Sequence, residues 1–316
     1  MRAFNVPESG AQPVVSDLPV PEVTDGAVLV RVKSAALNAI DKTLVAGMMA
    51  EMMPHLYPLV VGRDAAGVVE AVGAGVDHVA VGDEVIGHVL LAPPIQAGSI
   101  AEYALIPAAA VAAKPAGLDF DTAAALPLAG TAALASVDAV EAAEGQAVLV
   151  VGATGGVGSY AVQLLAARGV TVVATGRAAD SDRLIGLGAA TVVDHRSGTP
   201  IADQVTAAYP GGVDALIDLV ASSPDALPLS AVRKGGKVTS TLGAADEQVL
   251  AAAGLTGSNI MASPLREAFE PLAALAAAGT LQVDITKVFP LEQAADGLAA
   301  LSAGGTRGKI VIHVAD

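Results

Sequence analysis

The residues best suited to chemistry form a glycine-rich turn between an apolar strand pattern, Ala147–Val151, and a helical pattern that ends at Arg168. A short β-branched run of this kind is typical of a strand buried on both faces. The turn reads Gly152-Ala153-Thr154-Gly155-Gly156-Val157-Gly158. Its Ala-x-Gly-x-x-Gly spacing is the dinucleotide-binding fingerprint with alanine in place of the first glycine. In that fingerprint Gly155 lets the backbone approach a pyrophosphate, and Gly158 lets the helix pack closely on the strand.

Two other interpretations of this stretch are weaker. Ala147–Ala167 is long and uncharged enough for a transmembrane helix, but its four glycines and its central polar residues argue against one. A tight turn that binds nothing is the second alternative. A further strand pattern at Val170–Ala174 completes the strand–helix–strand context that the fingerprint requires. We therefore expect a pyrophosphate on the free N–H groups at the positive end of the helix.

The end of the second strand indicates which dinucleotide binds. An NAD site needs Asp or Glu there to hold the ribose 2′-hydroxyl. The sequence instead continues Thr175-Gly176-Arg177, and its first carboxylate is Asp180, beyond the turn. Arginine can hold a 2′-phosphate through charge-assisted hydrogen bonds, whereas a carboxylate would repel it. A solvated surface arginine is the alternative; we expect NADP(H).

Composition limits the class of protein. The 316 residues suffice for two domains with a large core, and 53% of them are hydrophobic although 3% are aromatic. A net charge of −15 disfavours nucleic acid or an anionic membrane as the main partner. The sequence has no cysteine, which excludes disulfides and thiolate-bound zinc. The N-terminal MRAFNVPESG lacks an apolar signal core, so we expect a cytoplasmic protein.

The remaining patterns divide the chain into two kinds of region. Up to residue 113, short strand patterns alternate with glycine and proline turns, as in a small barrel. From Asp121 onward, strands alternate with helices, starting with an alanine-rich helix over about Thr122–Ala142, and this predicts a doubly wound parallel sheet in an α/β fold. The other predicted strands are Ala27–Ala36, Gly67–Val72, Glu84–His88, Ala101–Ile106, Val192–Val193, Ala215–Leu219, Lys237–Thr241, Leu255–Met261, Leu281–Phe289 and Lys309–Val314, and the later helices are Leu265–Ala278 and Leu291–Ser302.

Several local patterns follow one another along nearly the whole chain. They are Leu37–Asp41 (LNAID), Gly62–Val69 (GRDAAGVV), Val81–Val85 (VGDEV), Ala124–Ala132 (AALPLAGTA), the glycine turn, and Pro290–Ala294 with Gly308–Val311. In this order they resemble the medium-chain dehydrogenase/reductase superfamily, and within it the zinc-free quinone oxidoreductase and enone reductase branch. The resemblance implies a GroES-like β-barrel domain from both chain ends, residues 1–120 and 265–316, around an NADP-binding Rossmann domain at 121–264.

The sequence departs from the alcohol dehydrogenase branch of that superfamily at its metal ligands. That branch holds a catalytic zinc with Cys and His, whereas this sequence has Asn38 and Asp41 near the first ligand region. It also has Arg63-Asp64 where the zinc branch has His-Glu. The five histidines show no pairing at i, i+4. We expect no metal, and alcohol oxidation with an unconventional metal is the disfavoured alternative.

Without a metal, the reaction expected is hydride transfer from NADPH to a quinone or an α,β-unsaturated carbonyl. Enone reduction also needs an oxyanion donor and a proton for the α carbon. The donor candidates are Tyr57, Tyr103 and His55. Tyr57 leads because its segment lines the cleft in the family; a loop tyrosine with its hydroxyl in water is the alternative. Asn38 and Asp41 carry the family's polar pair and could order the nicotinamide ribose or the substrate, or form an Asx turn or helix cap.

Further cofactor contacts follow partly from the resemblance. Thr131 resembles the threonine that touches the nicotinamide in the family, although a mid-helix threonine usually only packs. Thr241-Leu242-Gly243 ends a sheet strand, where open α/β sheets bind ligands. His195 follows the third strand, where related reductases often have a tyrosine beside the adenosine phosphate; an exposed loop histidine is the alternative.

Two questions stay open from the sequence. A non-catalytic NADPH-binding protein of the same fold competes with the reductase, because the fold persists without activity. The uncharged Leu255–Met261 is predicted to close one side of the parallel sheet, and pairing across a two-fold axis would cover it in a homodimer. A helix or loop covering this edge in a monomer is the alternative.

Overall fold

The computed structural model describes residues 1–315, which form sixteen strands and nine helices. The strands are β1 (Arg2–Val6), β2 (Val14–Asp17), β3 (Ala27–Leu37), β4 (Leu59–Val60), β5 (Asp64–Val72), β6 (Glu84–His88), β7 (Tyr103–Pro107), β8 (Val111–Ala113), β9 (Ala147–Val151), β10 (Thr171–Gly176), β11 (Ala189–Asp194), β12 (Val213–Asp218), β13 (Val232–Ser240), β14 (Thr256–Asn259), β15 (Ile285–Pro290) and β16 (Lys309–His313). The helices are α1 (Ala39–Val45), α2 (Phe120–Ala124), α3 (Pro127–Val140), α4 (Gly156–Ala167), α5 (Ser181–Gly186), α6 (Ile201–Ala208), α7 (Glu247–Ala252), α8 (Arg266–Ala277) and α9 (Ala294–Ser302).

One compact unit, Gly130–Ala262, contains the parallel sheet. Its six strands run in the order β11-β10-β9-β12-β13-β14, and every pairing between neighbours is parallel. Numbered from β9, this is the 3-2-1-4-5-6 order of doubly wound dinucleotide-binding sheets. All five residues of β9 are buried, as the apolar run predicted.

The second compact unit combines Met1–Ala129 with the C-terminal segment that begins at Ser263. Its larger sheet has the order β15-β16-β3-β5-β6-β8, with β7 also paired to β3. The C-terminal strand β16 pairs antiparallel with β3, so both ends of the chain build this sheet. A smaller sheet, β2-β1-β4, belongs to the same unit. The first boundary between the units falls at 129 rather than at the expected 120, and the second at 262 rather than 264.

The predicted strands correspond to strands of both units, although most of their bounds differ from the predicted ones. The strands β6 and β9 have the predicted bounds. The single helix expected over Thr122–Ala142 is wrong, because the structure has α2 and α3 with a break before Pro127. Proline has no N–H to donate and its ring excludes the preceding turn, so it starts a new helix. The N-terminal hairpin of β1 and β2 was not predicted.

The strand β14 is an edge of the parallel sheet, as predicted, and all four of its residues are exposed. Of the helices in residues 1–315, none combines the length and apolar character needed to cross a membrane.

Candidate functional site

The glycine turn joins β9 to α4 and leaves the start of that helix open. Gly152 has a φ of +87°, a conformation that side chains other than glycine rarely adopt. Gly155 is the N-cap of α4 and forms no side-chain cap bond, so the first N–H groups of the helix keep their hydrogen-bonding capacity. A Cβ on Gly155 would have a single neighbour within 4 Å, the Gly152 carbonyl oxygen at 3.6 Å. A Cβ on Gly158 would lie only 2.2 Å from that oxygen.

These contacts assign different tasks to the two glycines. Gly158 allows the helix to pack against the turn, since any side chain there would collide with the backbone. Gly155 leaves space in front of the helix N-terminus. An anion fits this arrangement, because the free N–H groups and the positive end of the helix both favour negative charge. The residues present therefore fit the pyrophosphate of a dinucleotide.

Side chains from the second strand and α5 hold the turn in place. The Thr175 hydroxyl, in β10, accepts a hydrogen bond from the Gly152 N–H at 2.9 Å. Thr175 was predicted as a cofactor contact, and the structure shows its hydroxyl supporting the turn. Arg183, in α5, donates from Nη1 to the Thr154 carbonyl at 3.3 Å. Arg183 was not predicted as a site residue, because it lies seven residues after the end of β10 and belongs to no motif.

A carboxylate from beyond β10 folds back onto the end of this strand. Asp180 lies four residues beyond Gly176, but the chain turns back so that its Oδ2 accepts from the Arg177 backbone N–H at 3.0 Å and from Nε at 3.2 Å. The expected absence of an acid at this strand end is therefore wrong, since a short 3₁₀ turn returns Asp180 to it. His195 is exposed and lies against the same strand end, donating its backbone N–H to the Gly176 carbonyl at 3.2 Å.

The carboxyl ends of β12 and β13 provide the other predicted contacts of the parallel unit. The Thr241 N–H donates to the Asp218 carbonyl at 3.1 Å, and Leu242 is 48% exposed. Asp218 itself is buried, and its burial raises the pKa of its carboxyl group although the Ala221 N–H donates to it. Gly243 has a φ of +88°. Asp218 was not predicted as a site residue.

Thr131, near the start of α3, is a buried residue with an unused polar atom. Only 4% of it is exposed, and its hydroxyl has no hydrogen-bond partner among the described residues. A buried hydroxyl without a partner is costly. This geometry fits a hydroxyl that a ligand completes, as the resemblance implied for this threonine.

In the other unit, Asn38 and Asp41 form the N-terminal cap of α1. The Asn38 N–H donates to Asp41 Oδ2 at 2.7 Å, and Asp41 is fully buried. Burial is the main cause that raises the pKa of Asp41 to about 6, and the nearby Arg63 partly offsets it. The helix-cap alternative for these two residues thus describes their contacts in the structure.

A buried ion cluster surrounds Asp64, at the start of β5. His88 Nδ1 lies 2.6 Å from Asp64 Oδ1, Asn38 Nδ2 donates to Oδ2 at 2.9 Å, and the Leu128 N–H donates to Oδ1 at 3.2 Å. The Lys309 ammonium lies 3.9 Å from Oδ2 and also donates to the Leu37 carbonyl and to Asn38 Oδ1. His88 and Lys309 lie in segments far apart in sequence, and neither was predicted as a partner of Asp64.

This cluster does not fit a metal ion. Asp64 already has three hydrogen-bonding partners, and two cations, Arg63 and Lys309, are buried with it. A divalent cation there would meet positive charges in a low-dielectric interior. Within residues 1–315, no group of three or more His, Cys, Asp or Glu side chains is suited to hold a metal.

Tyr57 and His55 form an edge-to-face pair, with ring centroids 6.4 Å apart and planes at 72°. Tyr57 is half-buried and packs against the core of its unit. Neither ring nitrogen of His55 has a hydrogen-bond partner among the described residues, and burial lowers the pKa of His55. Tyr103 lies instead at the start of β7, opposite Arg31.

Comparison with known proteins places the chain in a family. Residues 24–116 match the alcohol dehydrogenase GroES-like domain, and residues 187–312 match a family described as zinc-binding dehydrogenase. A quinone oxidoreductase of Sus scrofa is 31% identical over 88% of this chain and 86% of its own length. The solved quinone oxidoreductase of Coxiella burnetii superimposes with a TM-score of 0.87 at 27% identity, covering 99% of this chain and 98% of that one.

Two plant relatives match over a shorter part of their length. A 2-methylene-furan-3-one reductase of Solanum lycopersicum is 34% identical over 77% of this chain. The NADPH-dependent alkenal/one oxidoreductase, chloroplastic, of Arabidopsis thaliana is 35% identical over 72% of it. The chain spans 63% and 58% of the lengths of these two relatives.

The chain belongs to the medium-chain dehydrogenase/reductase superfamily, in its quinone oxidoreductase and enone reductase branch. This confirms the family predicted from the local patterns, and with it the α/β fold of a GroES-like domain and a Rossmann-type parallel sheet.

Proposed function

We propose that the protein is an NADPH-dependent oxidoreductase that reduces quinones or α,β-unsaturated carbonyl compounds. NADPH supplies the hydride when bound. The observation that carries the proposal is the open, uncapped N-terminus of α4 in front of Gly155, with Arg177 at the end of the adjacent strand. The names of the quinone oxidoreductase and NADPH-dependent alkenal/one oxidoreductase relatives support the same reaction class.

Residues of the parallel unit bind and orient the cofactor in this proposal. The backbone from Gly155 to Gly158 holds the pyrophosphate, while Thr175 and Arg183 keep the turn in shape. Arg177 holds the 2′-phosphate, and His195 borders the adenosine end. The unpartnered hydroxyl of Thr131 and the segment Thr241–Gly243 contact the nicotinamide end.

The acceptor also needs a proton, and Tyr57 is our candidate to provide it. Reduction adds a hydride to the β carbon of an enone and a proton to its α carbon. Tyr57 is half-buried, and the His55 ring packs against it. Asn38 and Asp41 already bond to each other, and Asn38 also donates to Asp64, so we assign the pair the positioning of α1 rather than contact with substrate.

The proposal requires no metal. Because two buried cations accompany Asp64, its cluster offers no site for zinc. We expect no stoichiometric zinc by elemental analysis and activity that chelators do not change. One tightly bound zinc per chain, with activity lost on its removal, would contradict this.

A panel of NADPH-oxidation assays over quinones, alkenals and enones tests the function. We expect oxidation of NADPH by at least one of these classes, and a lower kcat in Tyr57→Phe with NADPH affinity unchanged. NADPH that binds but is oxidised by none of them would instead identify a non-catalytic binding protein of the same fold.

We also propose a homodimer joined through β14. This edge strand is exposed and uncharged, and Met261 just beyond it is 94% exposed. Pairing of two such edges across a two-fold axis would cover the free backbone groups. Ile260→Lys should shift the protein from dimer to monomer in multi-angle light scattering. A wild-type monomer at micromolar concentration would rule the dimer out.

A further inference from the structure

The contact between Asp180 and Arg177 places a negative charge inside the proposed 2′-phosphate site. Asp180 is 1% exposed, whereas the Arg177 side chain is 39% exposed. The carboxylate bonds to both the backbone N–H and Nε of Arg177. Since the pair uses the Nε edge and the side chain is only partly covered, the guanidinium remains accessible from solvent.

A second carboxylate, that of Asp194, lies nearby but accepts hydrogen bonds from backbone N–H groups rather than from the Arg177 side chain. Asp194, at the end of β11, accepts from the N–H of Arg196 at 2.8 Å and from the N–H of Ala178 at 3.2 Å. Its charge is thus directed at backbone donors. Asp180 is the carboxylate that pairs with the Arg177 side chain itself.

We propose that Asp180 is a specificity-determining residue that limits the preference of this site for NADPH over NADH. The inference rests on the proposed function, because it assumes that a dinucleotide binds with its adenosine ribose at the end of β10. A 2′-phosphate that binds Arg177 must share the guanidinium with Asp180, and the two anions repel each other across it. A ribose with a free 2′-hydroxyl meets no such repulsion.

The charge of Asp180 can be removed without losing the hydrogen bond that caps the turn. Its Oδ2 accepts the Arg177 N–H that starts the 3₁₀ turn, and an asparagine oxygen can accept the same bond. Asp180→Asn therefore retains the turn and removes only the charge. Asp180→Ser also keeps an acceptor oxygen and replaces the asparagine variant if that one fails to fold.

The test compares the dissociation constants of NADPH and NADH, measured by fluorescence titration without substrate. We expect Asp180→Asn to strengthen NADPH binding about fivefold and to leave NADH within about twofold, an effect of the size expected for one unit charge several ångströms from the phosphate. The gain should shrink in high salt, because the partly exposed site is screened. A loss of packing alone would not respond to salt in this way.

Asp182→Asn is the matched control. Asp182 lies two residues further on, in α5, and is exposed, so its variant makes the same change in net charge. We expect both dissociation constants to stay within about twofold of wild type, because an exposed charge away from Arg177 is screened.

The outcomes separate this inference from the proposed function. If wild type binds neither dinucleotide, the proposed function itself fails and this inference with it. If wild type binds NADPH but Asp180→Asn leaves the ratio of the two constants unchanged, or weakens NADPH, Asp180 does not limit the preference. In that case the proposed function stands and this inference is overturned.

Discussion

The two units differ in whether their hydrogen-bond donors already have an anionic partner. In the parallel unit, the start of α4 presents N–H groups without a capping side chain, and a Cβ on Gly155 would meet almost nothing. In the other unit, the Asp64 carboxylate already receives donors from His88, Asn38 and the start of α3, with Lys309 nearby. The start of α4 thus has donors without an anion, whereas the donors around Asp64 are bound to a carboxylate of the chain itself.

This difference separates a binding site from a structural ion cluster. The N–H groups at the open start of α4 can bind water until an anion replaces it, so they are available to a ligand. Charges that are paired internally stabilise the fold only as long as every partner is present. Substitutions should therefore affect stability in the Asp64 cluster and affinity at the glycine turn.

The largest effect is expected from Lys309→Met, in the buried cluster. The substitution removes the ammonium that bonds to Leu37 and Asn38 and lies near Asp64, leaving buried polar groups uncompensated. Removing one partner of a buried ion pair costs about 3–5 kcal/mol. The free energy of unfolding from urea titration should fall by that amount.

Lys237→Met is the control for that variant. Lys237 pairs with Glu141, whose side chain is 73% exposed, and an exposed pair of this kind contributes less than about 1 kcal/mol. Equal losses of stability in the two variants would show that the Asp64 cluster is no more important to folding than a surface pair.

Gly155→Val should affect affinity with little effect on stability. The backbone at Gly155 has a φ of −77°, which valine adopts, and its Cβ would have one neighbour, at 3.6 Å. The side chain would instead occupy the space of the pyrophosphate. We expect NADPH to bind about 100-fold more weakly, or about 3 kcal/mol, with the melting temperature unchanged. Unchanged affinity would place the dinucleotide elsewhere.

Arg177→Ala should reduce the affinity for NADPH and leave that for NADH nearly unchanged. Each lost phosphate contact weakens binding by about 1.5–3 kcal/mol, and NADH has no 2′-phosphate to lose. Titration of both cofactors against the variant measures the difference. An equal loss for the two would show that Arg177 does not contact the phosphate.

Asp41→Asn should give a smaller effect, dependent on pH. The folded-state pKa of about 6 lies above the ordinary value of about 3.9, so between these pH values the folded chain keeps a proton that the unfolded chain has released. Stability from this group is thus present below about pH 4 and is lost as pH rises through 6. Asparagine has no charge to bury and can still accept from Asn38.

The expected gain for Asp41→Asn is about 2 kcal/mol over wild type at pH 7.5, falling to nearly zero at pH 4. Urea denaturation at the two pH values measures it. A difference that is the same at both would show that Asp41 does not titrate with a raised pKa.

The sequence could predict the glycine turn because its parts are consecutive. The bounds of β9 and the close packing at Gly158 both depend on residues within one strand–turn–helix segment. The family followed from local patterns for the same reason, and the comparisons confirmed it.

The Asp64 cluster and the Asp180 contact could not be predicted in this way. Lys309 reaches Asn38 across 271 residues of sequence, through the pairing of β16 with β3. Asp180 returns to Arg177 through a 3₁₀ turn that no motif in the sequence marked. The roles of Tyr57 and His195, the cytoplasmic location and the homodimer stay predictions.

The central claim is that the protein transfers a hydride from NADPH directly to a conjugated acceptor. The most direct test uses NADPH deuterated at the transferred position of C4, with an enone that the assay panel has identified, because a label on the oxygen of a reduced quinone would exchange with solvent. For an enone, we predict one deuterium at the β carbon of the product and a solvent proton at the α carbon, as found by mass spectrometry and NMR. Product without the label, or NADPH that binds and is never consumed, would contradict the account.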